Sequence, residues 1–347
     1  MPTKVTYGNW NTVEVLEEID NFLLFTMEEP WEIIKPKLSK LPLETILNRS
    51  MDINNLEKLY QRFKSYLNES MTIVGLGGGT SCDCAKYFAW KSYKEEDLKV
   101  RLILIPSIIS VDAFLCSSIA VRYDNKVNYI GESSPEKILI DYELIKKAPK
   151  YLNRAGVSDT ISITSALGDW KLAYQENNEK FDKIVFNKAK TIAKDLMKVR
   201  DDIRDVTEKG IKALVEGFYR EVTLCDNWGN ARPEEGSEHF LAYCIESITH
   251  NHYIHGQIIG MNILISLYLQ KDFAEFSIED IRQFFNDINL DISRQALKIS
   301  SEILRKALKE IQGYVKKEEL MYSIYNSPNF NLDNKKIEEV IQFLEKL

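Results

Sequence analysis

The 347 residues carry 45 Lys and Arg against 52 Asp and Glu, a formal net charge of −7, with 44% hydrophobic and 28% charged residues. That is the balance of a globular chain too long for one ordinary core, so two domains are expected. An acidic chain argues against general nucleic-acid binding. The most apolar stretch, 102–121, is broken by Pro106, Asp112 and four serines, so no bilayer span is expected there.

In chain order, an apolar run at 21–27 reads as a strand, followed by a helical stretch through 39. A second strand is expected at 43–47. Residues 56–67 show helical spacing, with Leu56, Leu59, Tyr60, Phe63 and Leu67 on one face. A third strand at 71–76 breaks at Gly77-Gly78-Gly79, and a helix follows from about 81 to 90. A fourth strand at 100–105 ends at Pro106. Runs at 119–123 and 127–130 flank Asp124-Asn125 and predict a hairpin. Strands alternating with helices imply a mostly parallel sheet covered on both faces. From 151 onward the spacing is helical, at 182–199, 203–219, 281–285, 299–311 and 337–347. The expected fold is therefore an α/β Rossmann-like domain over 1–150 and an all-helical domain over 151–347, with the boundary near Pro149.

Five cysteines (Cys82, Cys84, Cys116, Cys225 and Cys244) form no C-x-x-C pair. An odd count fits a disulfide framework poorly, and no signal-peptide core is read at the N-terminus. The expected location is the cytoplasm.

Two features carry chemistry. The first is the turn Gly75-Leu76-Gly77-Gly78-Gly79-Thr80-Ser81, placed where a strand becomes a helix. Glycines let the backbone approach a diphosphate, and free N–H groups at a helix start point at the anion. A tight turn without ligand would also use them. Asp83, in the same first turns, suits the helix dipole with or without a ligand. The second feature is the histidines. The chain has only four, His239, His250, His252 and His255, within 17 consecutive positions. Imidazole is a common metal ligand, and such bunching points to a metal site completed by a carboxylate from elsewhere.

Four segments together resemble the metal-dependent polyol dehydrogenases of the dehydroquinate synthase-like, iron-containing alcohol dehydrogenase superfamily. The sn-glycerol-1-phosphate dehydrogenase branch matches better than plain glycerol dehydrogenase. Residues 75–86 resemble G-x-G-G-G-x-x-x-D-x-A-K, and residues 105–118 the loop with Pro-Thr and Ser-x-Asp. Ala148-Pro149, 156–159 and Asp169-Trp170 resemble A-P…A-G-x-x-D…D-W. Residues 232–239 with His255-Gly256 resemble R-P-x-x-G-S-E-H…H-G-E.

The resemblance implies metal ligands Asp159, His239 and His255. The longer relatives' further histidine is Ile163 here, so three ligands are expected, with zinc first and nickel or iron able to use the same set. It also implies NAD or NADP held by Gly77, Gly78, Gly79, Thr80, Ser81 and Asp83, with Ser107 and Ser110 contacting the cofactor. Asp112 would bind a substrate hydroxyl, or else cap its loop. His252 would share a helical face with His255 if the helix is continuous, and would relay a proton or orient the site.

The implied reaction is reduction of a ketose phosphate to a polyol phosphate, with dihydroxyacetone phosphate and sn-glycerol 1-phosphate first. The chain departs from the pattern at Ser107, Val111, Ala113 and Gln257, which brings in a longer sugar phosphate or glycerol as competing substrates. Arg232 and Arg122 are the candidate phosphate partners. Glu28 and Glu29, after the first strand, lean toward NAD. A dehydroquinate synthase-like lyase and a non-catalytic nucleotide-binding relative are the other classes. A homodimer or higher oligomer is expected, with no nucleic-acid or membrane partner.

Overall fold

Two central strands buried at every position anchor the first unit. Phe22–Thr26 and Thr72–Gly77 have no exposed residue, the pattern of parallel strands covered on both faces. The computed structural model describes residues 4–123 and 126–346. In chain order the strands are β1 Lys4–Gly8, β2 Phe22–Thr26, β3 Glu44–Leu47, β4 Thr72–Gly77, β5 Arg101–Pro106, β6 Ser118–Tyr123, β7 Lys126–Glu132 and β8 Lys137–Asp141. Six form one parallel sheet in the order β1-β8-β5-β4-β2-β3. The expected hairpin is β6 and β7, an antiparallel ribbon; its turn, Asp124-Asn125, lies outside the described residues.

The helices of this part are α1 Asn11–Glu18, α2 Glu28–Ile34, α3 Ile53–Phe63, α4 Gly79–Glu96, α5 Tyr142–Lys147 and α6 Lys150–Ala155. The predicted strands and helices each have a counterpart, but β1, α1, β8 and α5 were not foreseen. The starts of the two helices depend on one residue. Asp141, fully buried at the end of β8, accepts hydrogen bonds from Trp10 N and Thr12 N of α1 and from Glu143 N and Leu144 N of α5, at 3.0–3.2 Å. One carboxylate thus satisfies the starts of two helices, which are 129–131 residues from it in one case and adjacent in the other.

The chain divides into compact units between Asn153 and Arg154. The second unit contains α7 Val157–Asn177, α8 Lys183–Met197, α9 Arg200–Asp205, α10 Glu208–Trp228, α11 Ser237–Thr249, α12 His255–Gln270, α13 Ile278–Asp287, α14 Arg294–Leu297, α15 Ser301–Lys317 and α16 Asn334–Glu345. α7 packs on α12, and α11 packs on both α12 and α15. These inner helices are buried nearly all round, so no apolar stripe marks them in the sequence. The single helix expected over 203–219 is two. Val206 turns left-handed at φ 57°, and Thr207 caps α10 through Gly210 N. Gly210 lies so close to the Asp202 backbone that a Cβ there would collide with it. Among the described residues no helix is long and apolar enough to cross a membrane.

Asp141→Ala should strip four buried or half-buried N–H groups of their acceptor and destabilise the protein by about 2–4 kcal/mol, checked by urea denaturation.

Candidate active site

In the first unit the chain leaves β2 for β3 on one side and returns to β4 on the other, so the carboxyl ends of β2 and β4 flank a switch point. Ligands of open α/β sheets bind in that crevice. The glycine turn lies there. Gly77 ends β4 at φ +154°, and a Cβ on it would collide with Ser81 Oγ. Gly78 is the N-cap of α4, makes no side-chain cap, and no acid occupies the first turn. The 18-residue helix therefore presents unscreened N–H groups, an arrangement suited to a diphosphate. Gly78, Gly79 and Thr80 are half-buried and reachable, whereas Ser81 is buried, its Oγ without a hydrogen-bond partner.

The loop after β5 packs beside this turn. Ser107 N donates to Gly77 O at 3.0 Å, and Cβ atoms on Gly78 and Gly79 would meet Ile108 and Val111 at 3.0 Å. Ser107 and Ser110 are on this loop. So is half-buried Asp112, whose Oδ2 accepts from Cys116 Sγ at 2.8 Å. Asp83 corrects the sequence reading: it is not on the cofactor-facing surface. Its carboxylate is buried against the fully buried Lys86 ammonium at 2.7 Å, and burial pushes its pKa up.

In the second unit, Asp159 is the third residue of α7, His239 the third of α11 and His255 the first of α12. Three helix starts thus bring one atom from each residue within 4.8 Å of the others. Asp159 Oδ1 is buried without a hydrogen bond, and His255 Nε2 lies 3.0 Å from it. The His239 and His255 ring centroids are 5.4 Å apart. An unsatisfied carboxylate oxygen and two imidazoles fit a divalent metal with an open coordination position. The position of a further ligand is filled by fully buried Ile163.

Sequence reasoning missed the groups that hold these three side chains. Glu238, fully buried, places Oε1 2.9 Å from His239 Nδ1 and leaves Nε2 for a metal; it also accepts from Gly236 N at 2.6 Å and Ser165 Oγ at 2.7 Å. Asp169, also fully buried, accepts from Ser237 N at 2.7 Å and Ile324 N at 2.8 Å. Burial and the Glu238 charge push its pKa up to about 6, against these hydrogen bonds. Trp170 serves packing: its Nε1 donates to Lys180 O, and Phe181, Phe186 and Trp228 surround its ring. Only the D-W and G-S-E-H patterns signalled these residues.

Two further corrections follow. α12 begins at His255, so exposed His252 belongs to the preceding loop and shares no helical face with His255. His250 is the left-handed C-cap of α11. Arg232 is fully buried and forked onto Glu179 at 2.7 and 2.9 Å, so it cannot be the open phosphate partner. Gln257 donates to Asp291 O at 2.7 Å, a bond that a glutamate could not make.

A family model for iron-containing alcohol dehydrogenases matches residues 29–149. The chain is 28% identical to a glycerol-1-phosphate dehydrogenase [NAD(P)+] of Hyperthermus butylicus over 261 residues, 75% of this chain and 71% of the relative. It is 27% identical to the enzyme of that name from Thermoplasma volcanium over 321 residues, 89% and 88% of the two chains. The chain is thus similar to glycerol-1-phosphate dehydrogenases, and its first unit to the iron-containing alcohol dehydrogenase family.

Solved structures share the fold of this chain. A probable glycerol dehydrogenase from Sinorhizobium meliloti aligns with a TM-score of 0.72 at 14% identity, covering 99% of this chain and 97% of its own. A sulfoacetaldehyde reductase from Bifidobacterium kashiwanohense, solved in complex with NAD+, aligns with a TM-score of 0.68 at 15% identity, covering 99% and 97%.

Asp159→Ala, His239→Ala and His255→Ala should each lose bound zinc by metal analysis while the helical circular dichroism persists; stoichiometric zinc in all three would refute the ligand set. Burial alone would lower the His239 pKa. The Glu238 hydrogen bond and the charges of Glu235, Glu238 and Asp159 outweigh it and bring the pKa up to about 9. A raised histidine pKa gives stability that is full below the ordinary value near 6.5 and is lost as pH rises through about 9. The metal-free protein should therefore lose melting temperature across that window. The zinc-loaded protein should lose less there, because metal replaces the proton, and calorimetry of both forms checks this.

Proposed function

We propose that the protein is a metal-dependent NAD(P)H oxidoreductase that reduces a ketose phosphate to a polyol phosphate, with dihydroxyacetone phosphate reduced to sn-glycerol 1-phosphate as the leading case. The observation that carries this reading is the meeting of Asp159, His239 and His255 from three separate helix starts. The glycerol-1-phosphate dehydrogenase relatives support the substrate class, and zinc is the first candidate for the metal. A metal held there would supply Lewis acidity toward the substrate carbonyl, and NAD(P)H would supply the hydride.

The chain's own residues supply position and charge. Gly77, Gly78, Gly79 and Thr80 would receive the diphosphate at the start of α4, with Ser81 behind them and Ser107 and Ser110 beside the cofactor. Asp159, His239 and His255 would hold the metal, and Glu238 fixes the His239 ring. Asp112 would accept a hydrogen bond from a substrate hydroxyl. His252, on the exposed loop running into His255, would deliver the proton that completes reduction. At the end of β2, Glu28 and Glu29 share Arg49 at 2.6 and 2.9 Å. Two carboxylates around one guanidinium repel a ribose 2′-phosphate and favour NADH.

A second reading, an unphosphorylated polyol such as glycerol, draws support from one observation: Arg232, a candidate phosphate partner, is already committed to Glu179.

The test is a panel of dihydroxyacetone phosphate, longer ketose phosphates and dihydroxyacetone with NADH and zinc, followed by absorbance. Turnover of dihydroxyacetone alone would move the assignment to glycerol dehydrogenase, and no turnover of any would refute the reading. Asp112→Asn should lower kcat/KM for the preferred substrate by roughly ten- to a hundredfold, about one charge-assisted hydrogen bond, with zinc content and NADH affinity unchanged.

A further inference from the structure

Lys86 is fully buried, and an ammonium can stay there only if its protons find acceptors. It finds three. Its Nζ lies 2.7 Å from Asp83 Oδ1 and donates to Cys116 O at 3.0 Å and Ser118 O at 2.6 Å. Asp83 and Lys86 stand one turn apart on α4, the helix whose first turn is the glycine cradle. Cys116 and Ser118 end the loop that carries Asp112.

Cys116 joins the two. Its carbonyl takes the Lys86 proton, its N–H donates to Asp112 O, and its thiol donates to Asp112 Oδ2 at 2.8 Å. The other end of the loop is tied to the same cradle, through Ser107 N and Gly77 O. Its middle is held independently, by Ile109 N donating to Oδ1 of buried Asn153 at 3.0 Å.

We propose that Lys86 is a positioning residue that sets the Asp112 carboxylate through Cys116, and that it couples the substrate loop to the cofactor turn, so that a dinucleotide at the turn orders the loop. This rests on the reading of Asp112 as a substrate-binding residue. A buried pair that only holds the fold can be exchanged for uncharged residues of similar volume without functional loss. A positioning pair cannot, because the two carbonyls lose their donor while stability returns.

The test uses the full-length zinc-loaded protein and the double variant Asp83→Asn/Lys86→Met, which removes both charges together and avoids stranding one. Hydrogen exchange is followed at the Leu115, Cys116 and Ile109 amides, with and without NADH. In the wild type, NADH should slow exchange at Leu115 and Cys116. In the double variant these two amides should exchange at least tenfold faster and no longer respond to NADH. Ile109 should be unchanged, and NADH affinity should stay within about threefold. KM for dihydroxyacetone phosphate should rise at least tenfold, with a smaller fall in kcat.

Unchanged exchange at Leu115 and Cys116, or equal loosening at Ile109, would overturn the coupling. Wild-type KM in a double variant that is folded would overturn the positioning role. If the wild type turns over no ketose phosphate, the functional reading falls by itself and the exchange data alone decide the coupling.

Discussion

A carboxylate buried in the middle of a helix must find donors outside that helix, because the helix has already used its own N–H groups. Asp169 of α7 meets this constraint with Ser237 N, at the start of α11, and Ile324 N, far along the chain. The first turn of α11 is thereby fixed against α7. Glu238 repeats the device one residue later, taking Gly236 N and Ser165 Oγ and leaving its other contact for His239. The α11 start is tied to α12 as well, through Ser237 Oγ to Ser266 Oγ and Asn262 Nδ2 to Glu238 O. The three helices that carry Asp159, His239 and His255 are locked to one another by groups outside that trio.

Helix starts serve opposite ends in the two units. The positive end of a helix dipole attracts anions. At α4 that end carries no acid and no side-chain cap, so its field remains available for a diphosphate. At α7, α11 and α12 the same field would oppose a cation. The charges of Glu235, Glu238 and Asp159 oppose it, and with the Glu238 hydrogen bond they raise the His239 pKa against burial. Burial makes this arrangement effective, since charges out of water act on one another with little screening.

The legible parts of the site were those with a local signature. Four histidines in 17 positions marked the segment that supplies two of the three side chains that meet, and a glycine triplet between strand and helix marked the turn. Asp159 has no such signature: one aspartate among many acids looks like any other, and only the resemblance of its segment marked it. Asp83 and Arg232 were misplaced for a related reason. A charged residue in a motif reads as ligand-facing, but both point inward to a single opposite charge, Lys86 and Glu179. His252 was placed on a helix because His-x-x-His fits helical spacing, whereas the loop 250–254 delays the start of α12.

The sequence by itself determined the two-part fold class, the central strands, the amphipathic outer helices, the glycine turn and the histidine cluster. Each rests on short-range periodicity or composition, which every residue carries along the chain. Only the tertiary structure decided which carboxylate joins the histidines, which charges are spent on burial, and that Asp141 starts two helices from one position. Those outcomes depend on partners far along the chain: 53 positions between Arg232 and Glu179, 68 and 155 for Asp169, 30 and 32 between Lys86 and the carbonyls of Cys116 and Ser118, and about 130 between α1 and β8. Hydrogen bonds across such separations leave no period in the sequence. They exist because a buried polar group without a partner costs more than the chain can spare.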